Sequence, residues 1–243
     1  MGINTLNESS LHKSLKNLYS LEDGSRTEVE ADGHIYDILT KDGNVIEIQT
    51  KNLSKLLTKA LDALKNGRKF TIVHPIIQKK IIETYDEEGK LISRRKSPKK
   101  ENLYSVFREL TGLYPVILEK NFTLELVFIS LTEYRTQTEK PEQSANKLRR
   151  FKKNWNKTDK QLNEIIKVRK FNGREDYLKL LPKELPEEFS AKDIIIELKK
   201  NKETINSASN NAHLMLWVYN HVNLIEYTST KNRTKFYKKK SVK

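Results

Sequence analysis

The chain has 243 residues, with 46 Lys and Arg against 32 Asp and Glu, and its formal charge of +14 favours a polyanionic partner. The absence of cysteine excludes disulfide scaffolds, thiolate zinc sites and cysteine nucleophiles. No stretch reaches the ~18 uninterrupted apolar residues that a spanning helix needs, and Asn7, Glu8, His12, Lys13 and Lys16 interrupt the first nineteen residues, so neither a membrane contact nor an export signal is expected and the cytoplasm is the expected location.

Leu6, Leu11, Leu15 and Leu18 follow a helical stripe over 6–19, closed by Gly24 and Ser25. Three strand-like runs follow at 26–30, 34–39 and 44–50, separated by Asp32-Gly33 and Asp42-Gly43, which are strong hairpin signals. Leu53, Leu56, Leu57, Ala60, Leu61 and Leu64 predict a helix over 52–65, stopped by Asn66-Gly67. A buried-type strand is expected at 70–77, a hairpin from 81–85 and 91–95 around Glu88-Gly89, a helix at 103–110 and a strand at 122–131. This order predicts an α+β or α/β fold, a mixed sheet flanked by helices. The polar, basic stretch 136–160, interrupted by Pro141, reads as a connection or an exposed arm.

The last segment has a separate pattern. Ser190 stands three residues before Asp193, a capping arrangement, and Ile194, Ile195 and Leu198 form the stripe of the helix it opens. A second helix starts near Ser207, and strands at 224–228 and 235–239 flank a turn at 229–232. Helix, turn, helix and hairpin in this order resemble a winged helix-turn-helix module. The expected domains are therefore 1–140, a basic connecting region 141–185, and 186–243.

Asp37 lies on the second strand of the meander, and Glu47 and Gln49 lie on the third, with Ile48 pointing into the core. Carboxylates brought together across a hairpin repel unless a cation lies between them. Hard oxygen ligands suit magnesium, which binds phosphate while keeping several waters.

This arrangement resembles the PD-(D/E)xK nuclease superfamily, in which a helix precedes a strand bearing Asp, a strand bearing Glu-x-Lys and a packed helix. The resemblance covers roughly the first 85 residues. It implies a restriction-endonuclease-like mixed sheet with Asp37 and Glu47 as ligands of Mg2+ (or Mn2+), the Ile48 carbonyl assisting, Glu8 supporting from the first helix and Gln49 standing where the family has Lys. Tyr36 replaces the proline. A neutral amide holds water but supplies no positive charge to lower its pKa.

Other residues are read both ways. His74 faces the cleft or is a satisfied strand residue, and His12 lies one turn after Glu8. Arg94, Arg95, Lys96, Lys99 and Lys100 form a basic run that binds phosphates or solvates a loop. Arg149 and Arg150 stand near Phe151 and Trp155, which stack on a nucleic acid or anchor a core. Ser207, Ser209, Asn210 and Asn211 at the start of a helix suit base and phosphate contacts, or capping alone. Lys231, Arg233 and Lys235 on the terminal hairpin supply backbone affinity.

The function expected is a magnesium-dependent endodeoxyribonuclease acting on double-stranded DNA in restriction, defence or repair, with a homodimer as the arrangement that reaches both strands. The rival readings are a non-catalytic DNA-binding regulator on a degenerate nuclease scaffold and an RNA-processing nuclease.

Overall fold

A computed structural model describes residues 9–144, 147, 149–200 and 205–240. The Ser9 hydroxyl accepts the His12 N–H and opens α1 (Ser10–Tyr19), which buries Leu11 and Leu15. The strands β1 (Arg26–Ala31), β2 (His34–Leu39) and β3 (Val45–Ile48) form an antiparallel meander. Asp32 and Gly33 both have positive φ, 53° and 74°, as the expected tight turn requires. A 3-10 turn then leads into α2 (Leu57–Lys65), which crosses over so that β4 (Phe70–Tyr85) pairs parallel with β3.

β4 is one continuous strand where the sequence suggests two. A bulge between Ile77 and Lys79, at the polar Gln78-Lys79-Lys80, breaks the apolar pattern without breaking the strand. β5 (Leu91–Lys96) folds back on its outer half. After α3 (Phe107–Leu110), β6 (Phe122–Glu142) runs parallel to β4 and β7 (Lys153–Phe171) returns antiparallel. The strand order is β1-β2-β3-β4-β6-β7, with β5 on β4.

The reading of 141–185 as a connection is corrected here. Its longest element is β7, followed by the short α4 (Arg174–Leu178). The strand escaped notice because most of β7 is exposed, so no apolar alternation marks it.

Helices cover both faces of the sheet. On one face Tyr36, Val45, Phe70, Ile72 and Leu124 pack with α2, α3 and apolar residues of the C-terminal segment. On the other, Ile48, Val73, Val127 and Ile129 pack with Leu11 and Leu15. This two-sided burial explains the nearly unbroken apolar run at the start of β4. Gly112 permits the close approach of the α3 turn to the 3-10 turn before α2, since an added Cβ would lie 2.4 Å from the Ser54 Cβ.

The C-terminal segment comprises β8 (Phe189–Ser190), α5 (Ala191–Lys200), α6 (Ile205–His221), β9 (Ile225–Lys231) and β10 (Thr234–Lys239), with sheet order β8-β10-β9. The Ser190 N–H and hydroxyl donate to Asp193 at 2.8 and 2.7 Å, as the capping pattern predicts. The hairpin turn is at Asn232-Arg233, both left-handed, rather than centred on 229–232 as expected. Ser229 and Thr230 instead continue the strand in register with Phe236 and Lys235. Tyr219 donates to the Tyr177 carbonyl and meets Phe107 edge-on at 5.4 Å, docking α6 against α4 and α3. No helix among the described residues is long and apolar enough to cross a membrane.

Candidate active site and adjoining basic cleft

The β2–β3 ladder ends with the pairs Ile38↔Ile46 and Leu39↔Val45. Beyond them side chains take over the pairing. Asp37 Oδ2 accepts the Ile48 N–H at 2.8 Å, and Glu47 Oε1 accepts the Asp37 N–H at 3.2 Å. Lys59, on α2, donates to Glu47 Oε1 at 3.0 Å and also to the Ile35 carbonyl. On the α1 side His12 Nε2 lies 3.4 Å from Asp37 Oδ2. The two acids thus lean toward different covering helices and meet at the seam between their strands.

Their environments separate their protonation. Burial and the neighbouring Asp37 charge push Glu47 up to about 7 against the opposing pull of Lys59. Burial also acts to raise Asp37, but hydrogen bonds from His12 and the Ile48 N–H outweigh it and hold it below the usual carboxylate range. Two carboxylates are a donor set that magnesium accepts, with water and phosphate filling the remaining positions. Among the described residues no group of three His, Asp or Glu gathers as a metal site. Glu8 lies outside the described residues.

Gln49 does not join the acids. Its side-chain nitrogen donates to the Lys51 carbonyl, and its own carbonyl accepts from His74 Nδ1 at 2.7 Å. Burial holds His74 below the ordinary histidine range. The expectation of Gln49 beside Glu47 is therefore corrected: the strand ends at Ile48, so period-two alternation no longer governs the next side chain. Ile48 bonds to Asp37 through its N–H. Lys59 is the residue that sequence reasoning missed. Its only signal is a polar position one turn after Lys55 on α2, a helix expected to pack on the sheet.

Past the carboxyl end of β3, and alongside the middle of β4 from His74 to Lys80, lies a cleft of about 640 Å³. Lys51, Asn52, His74, Arg108 and Lys160 line it, and Ser207, Asn210 and Asn211 of α6 wall it. At one side Glu133 meets Lys80 at 3.3 Å, Lys157 at 2.9 Å and Arg135 at 2.5 Å. Burial opposes its ionisation, but these cations hold it down to about 2. Burial and the charges of Lys157 and Lys51 push the Lys160 amine down to about 8.

The remaining basic candidates are dispersed. Lys99 lines the cleft, and Lys100 is exposed. Arg94, Arg95 and Lys96 lie exposed along β5, with Arg94 on Glu83 at 2.9 Å. Arg135 and Arg149 cover the Trp155 ring at 3.6 and 4.3 Å, and Arg150 lies over Phe151. Lys231, Arg233 and Lys235 are exposed on the β9–β10 hairpin. Ser209 is half-buried on α6, outside the cleft lining.

The model of a family described as "Domain of unknown function (DUF8091)" matches residues 9–172, which span α1 through β7 and hence the whole large sheet. A Treponema pallidum (strain Nichols) protein described as "Uncharacterized protein" is 30% identical over 194 residues, covering 80% of this chain and 74% of that protein. No solved structure matches. The chain belongs to the DUF8091 family.

Proposed function

We propose that this DUF8091 member is a magnesium-dependent phosphodiester hydrolase acting on DNA, with Asp37 and Glu47 as the metal-holding pair. The observation that carries the reading is the convergence of both carboxylates and the Lys59 ammonium at the open seam between β2 and β3. The element order supports the likeness to PD-(D/E)xK nucleases: helix, three-stranded antiparallel meander, crossover helix, then a parallel strand.

When bound, the metal polarises a phosphate and lowers the pKa of an attacking water. Asp37, the more acidic member, stays ionised and supplies the permanent charge. Glu47 would be the second holding carboxylate and would bind a divalent cation in its deprotonated form. Lys59 supplies the positive charge that Gln49 lacks, where it can steady a developing oxyanion. His12 fixes the orientation of Asp37 from α1.

The basic surfaces are read as the DNA track. Exposed cations along β5, the Arg-covered Trp155 and the β9–β10 hairpin provide backbone contacts. The C-terminal segment is read as a winged helix-turn-helix module whose hairpin, through Lys231, Arg233 and Lys235, touches duplex. Because the start of α6 walls the cleft, Ser207, Asn210 and Asn211 are assigned to that cleft rather than to an open major groove.

One observation favours a second reading, a non-catalytic DNA binder: Lys59 already neutralises Glu47 at 3.0 Å. Incubating supercoiled plasmid with protein and magnesium or manganese separates the two. Hydrolysis abolished by Asp37→Asn supports the enzyme, whereas salt-sensitive binding without cutting under either ion supports the binder.

A further inference from the structure

The cleft beyond β3, alongside the middle of β4, has chemistry that the acid pair does not use. Six cationic side chains line it against three carboxylates, and burial holds His74 below the ordinary histidine range. The carboxylates have partners of their own, and the attraction of Glu133 and Glu101 offsets only part of what burial and neighbouring lysines cost Lys160. Glu101 accepts the Ile77 N–H at 2.9 Å, Glu109 accepts the Leu53 N–H at 2.8 Å, and Glu133 has its three cations.

Lys51, Lys99, Arg108 and Lys160 consequently face the space with no carboxylate partner among the described residues. Collecting like charges around a half-buried space is costly unless an anion joins them. Lys160 registers that cost, since its amine loses much of its affinity for a proton. Asn52, Ser207 and Asn210 add neutral polar groups to the same walls. The space falls within the ~300–1,000 Å³ usual for small-ligand pockets. It accommodates a strand end or a nucleotide, and α6 walls one side of it.

We propose that this cleft binds a phosphate monoester or free phosphate, presented by a strand end, a mononucleotide or the inorganic ion. A monoester carries nearly two charges and three terminal oxygens, which suits several converging cations better than the single charge of an internal diester. The inference rests on the cleft alone and does not require the acid pair to cut anything.

The test uses the full chain in EDTA, so that cleavage does not intervene. Binding of short single-stranded oligonucleotides with phosphate or hydroxyl at either end is measured by anisotropy, and melting is measured with inorganic phosphate, adenosine monophosphate and adenosine. The expected result is a preference of about tenfold or more for a phosphorylated end. Lys160→Met with Arg108→Gln removes that preference, while Lys183→Ala with Lys192→Ala, exposed and outside the cleft lining, retains it. Stabilisation by phosphate and the monophosphate without end discrimination supports the site, with the free ligand as its source. Equal affinity for both ends together with no shift from phosphate or the monophosphate overturns the proposal. So does a preference that survives the Lys160 and Arg108 changes in a protein that melts cooperatively.

Discussion

Asp37 and Glu47 each complete the other's strand: the Asp37 carboxylate on β2 accepts an N–H of β3, and the Glu47 carboxylate on β3 accepts the N–H of Asp37. Substituting Asp37 therefore separates structure from charge. Asp37→Ala leaves the Ile48 N–H without its acceptor and costs about 1–3 kcal/mol, whereas Asp37→Asn keeps an acceptor oxygen and costs less. Chemical denaturation of both variants measures the difference. Equal losses would mean that the oxygen contributes nothing to the seam.

Lys59 is the cation nearest Glu47. Lys59→Met removes the pull that opposes burial, so Glu47 holds its proton to a pH above 7. Hydrolysis should fall by about tenfold or more in rate, with DNA affinity within about twofold of wild type because the basic surfaces are untouched. Undiminished hydrolysis would remove Lys59 from the mechanism.

Glu133 predicts a pH response of known sign. Its folded-state pKa of about 2 lies below the ordinary glutamate value. The stabilisation is fully present above the ordinary value and is lost as pH falls through that window toward 2, a contribution of about 3 kcal/mol. Denaturation of Glu133→Gln between pH 7 and 3 should show a deficit that shrinks with acid. A constant deficit would contradict the ion cluster as its source.

Lys160 predicts the reverse change. Its amine is lowered to about 8, so below pH 8 the folded state bears the cost of a confined charge. Stability from this group rises as pH climbs from 8 toward the ordinary lysine value, because the unfolded chain then holds the extra proton. Lys160→Met should raise the melting temperature at pH 7, and the gain should narrow at higher pH. A lowered melting temperature would contradict this assignment.

The sequence made the meander legible because its turn at Asp32-Gly33 demands left-handed residues. It made the capping of α5 legible because Ser190 and Asp193 interact locally. The long β6–β7 arm was not legible, since strand pairing rather than burial sustains β7 and solvated lysines obscure the period. Lys59 was hidden for a related reason. Its partner lies across the helix–sheet interface, twelve residues away, and no periodicity records such a contact. The cleft also depends on α6 docking beside His74, a tertiary relation between segments far apart in the chain.

The most direct measurement is plasmid hydrolysis in magnesium by the wild-type protein and by the Asp37→Asn, Glu47→Gln double variant, with folding checked by thermal melting. The account predicts cutting by the wild type and a loss of about a hundredfold or more in the variant. Equal cutting by both proteins, or no cutting by the wild type under magnesium or manganese while it still binds DNA, would contradict it.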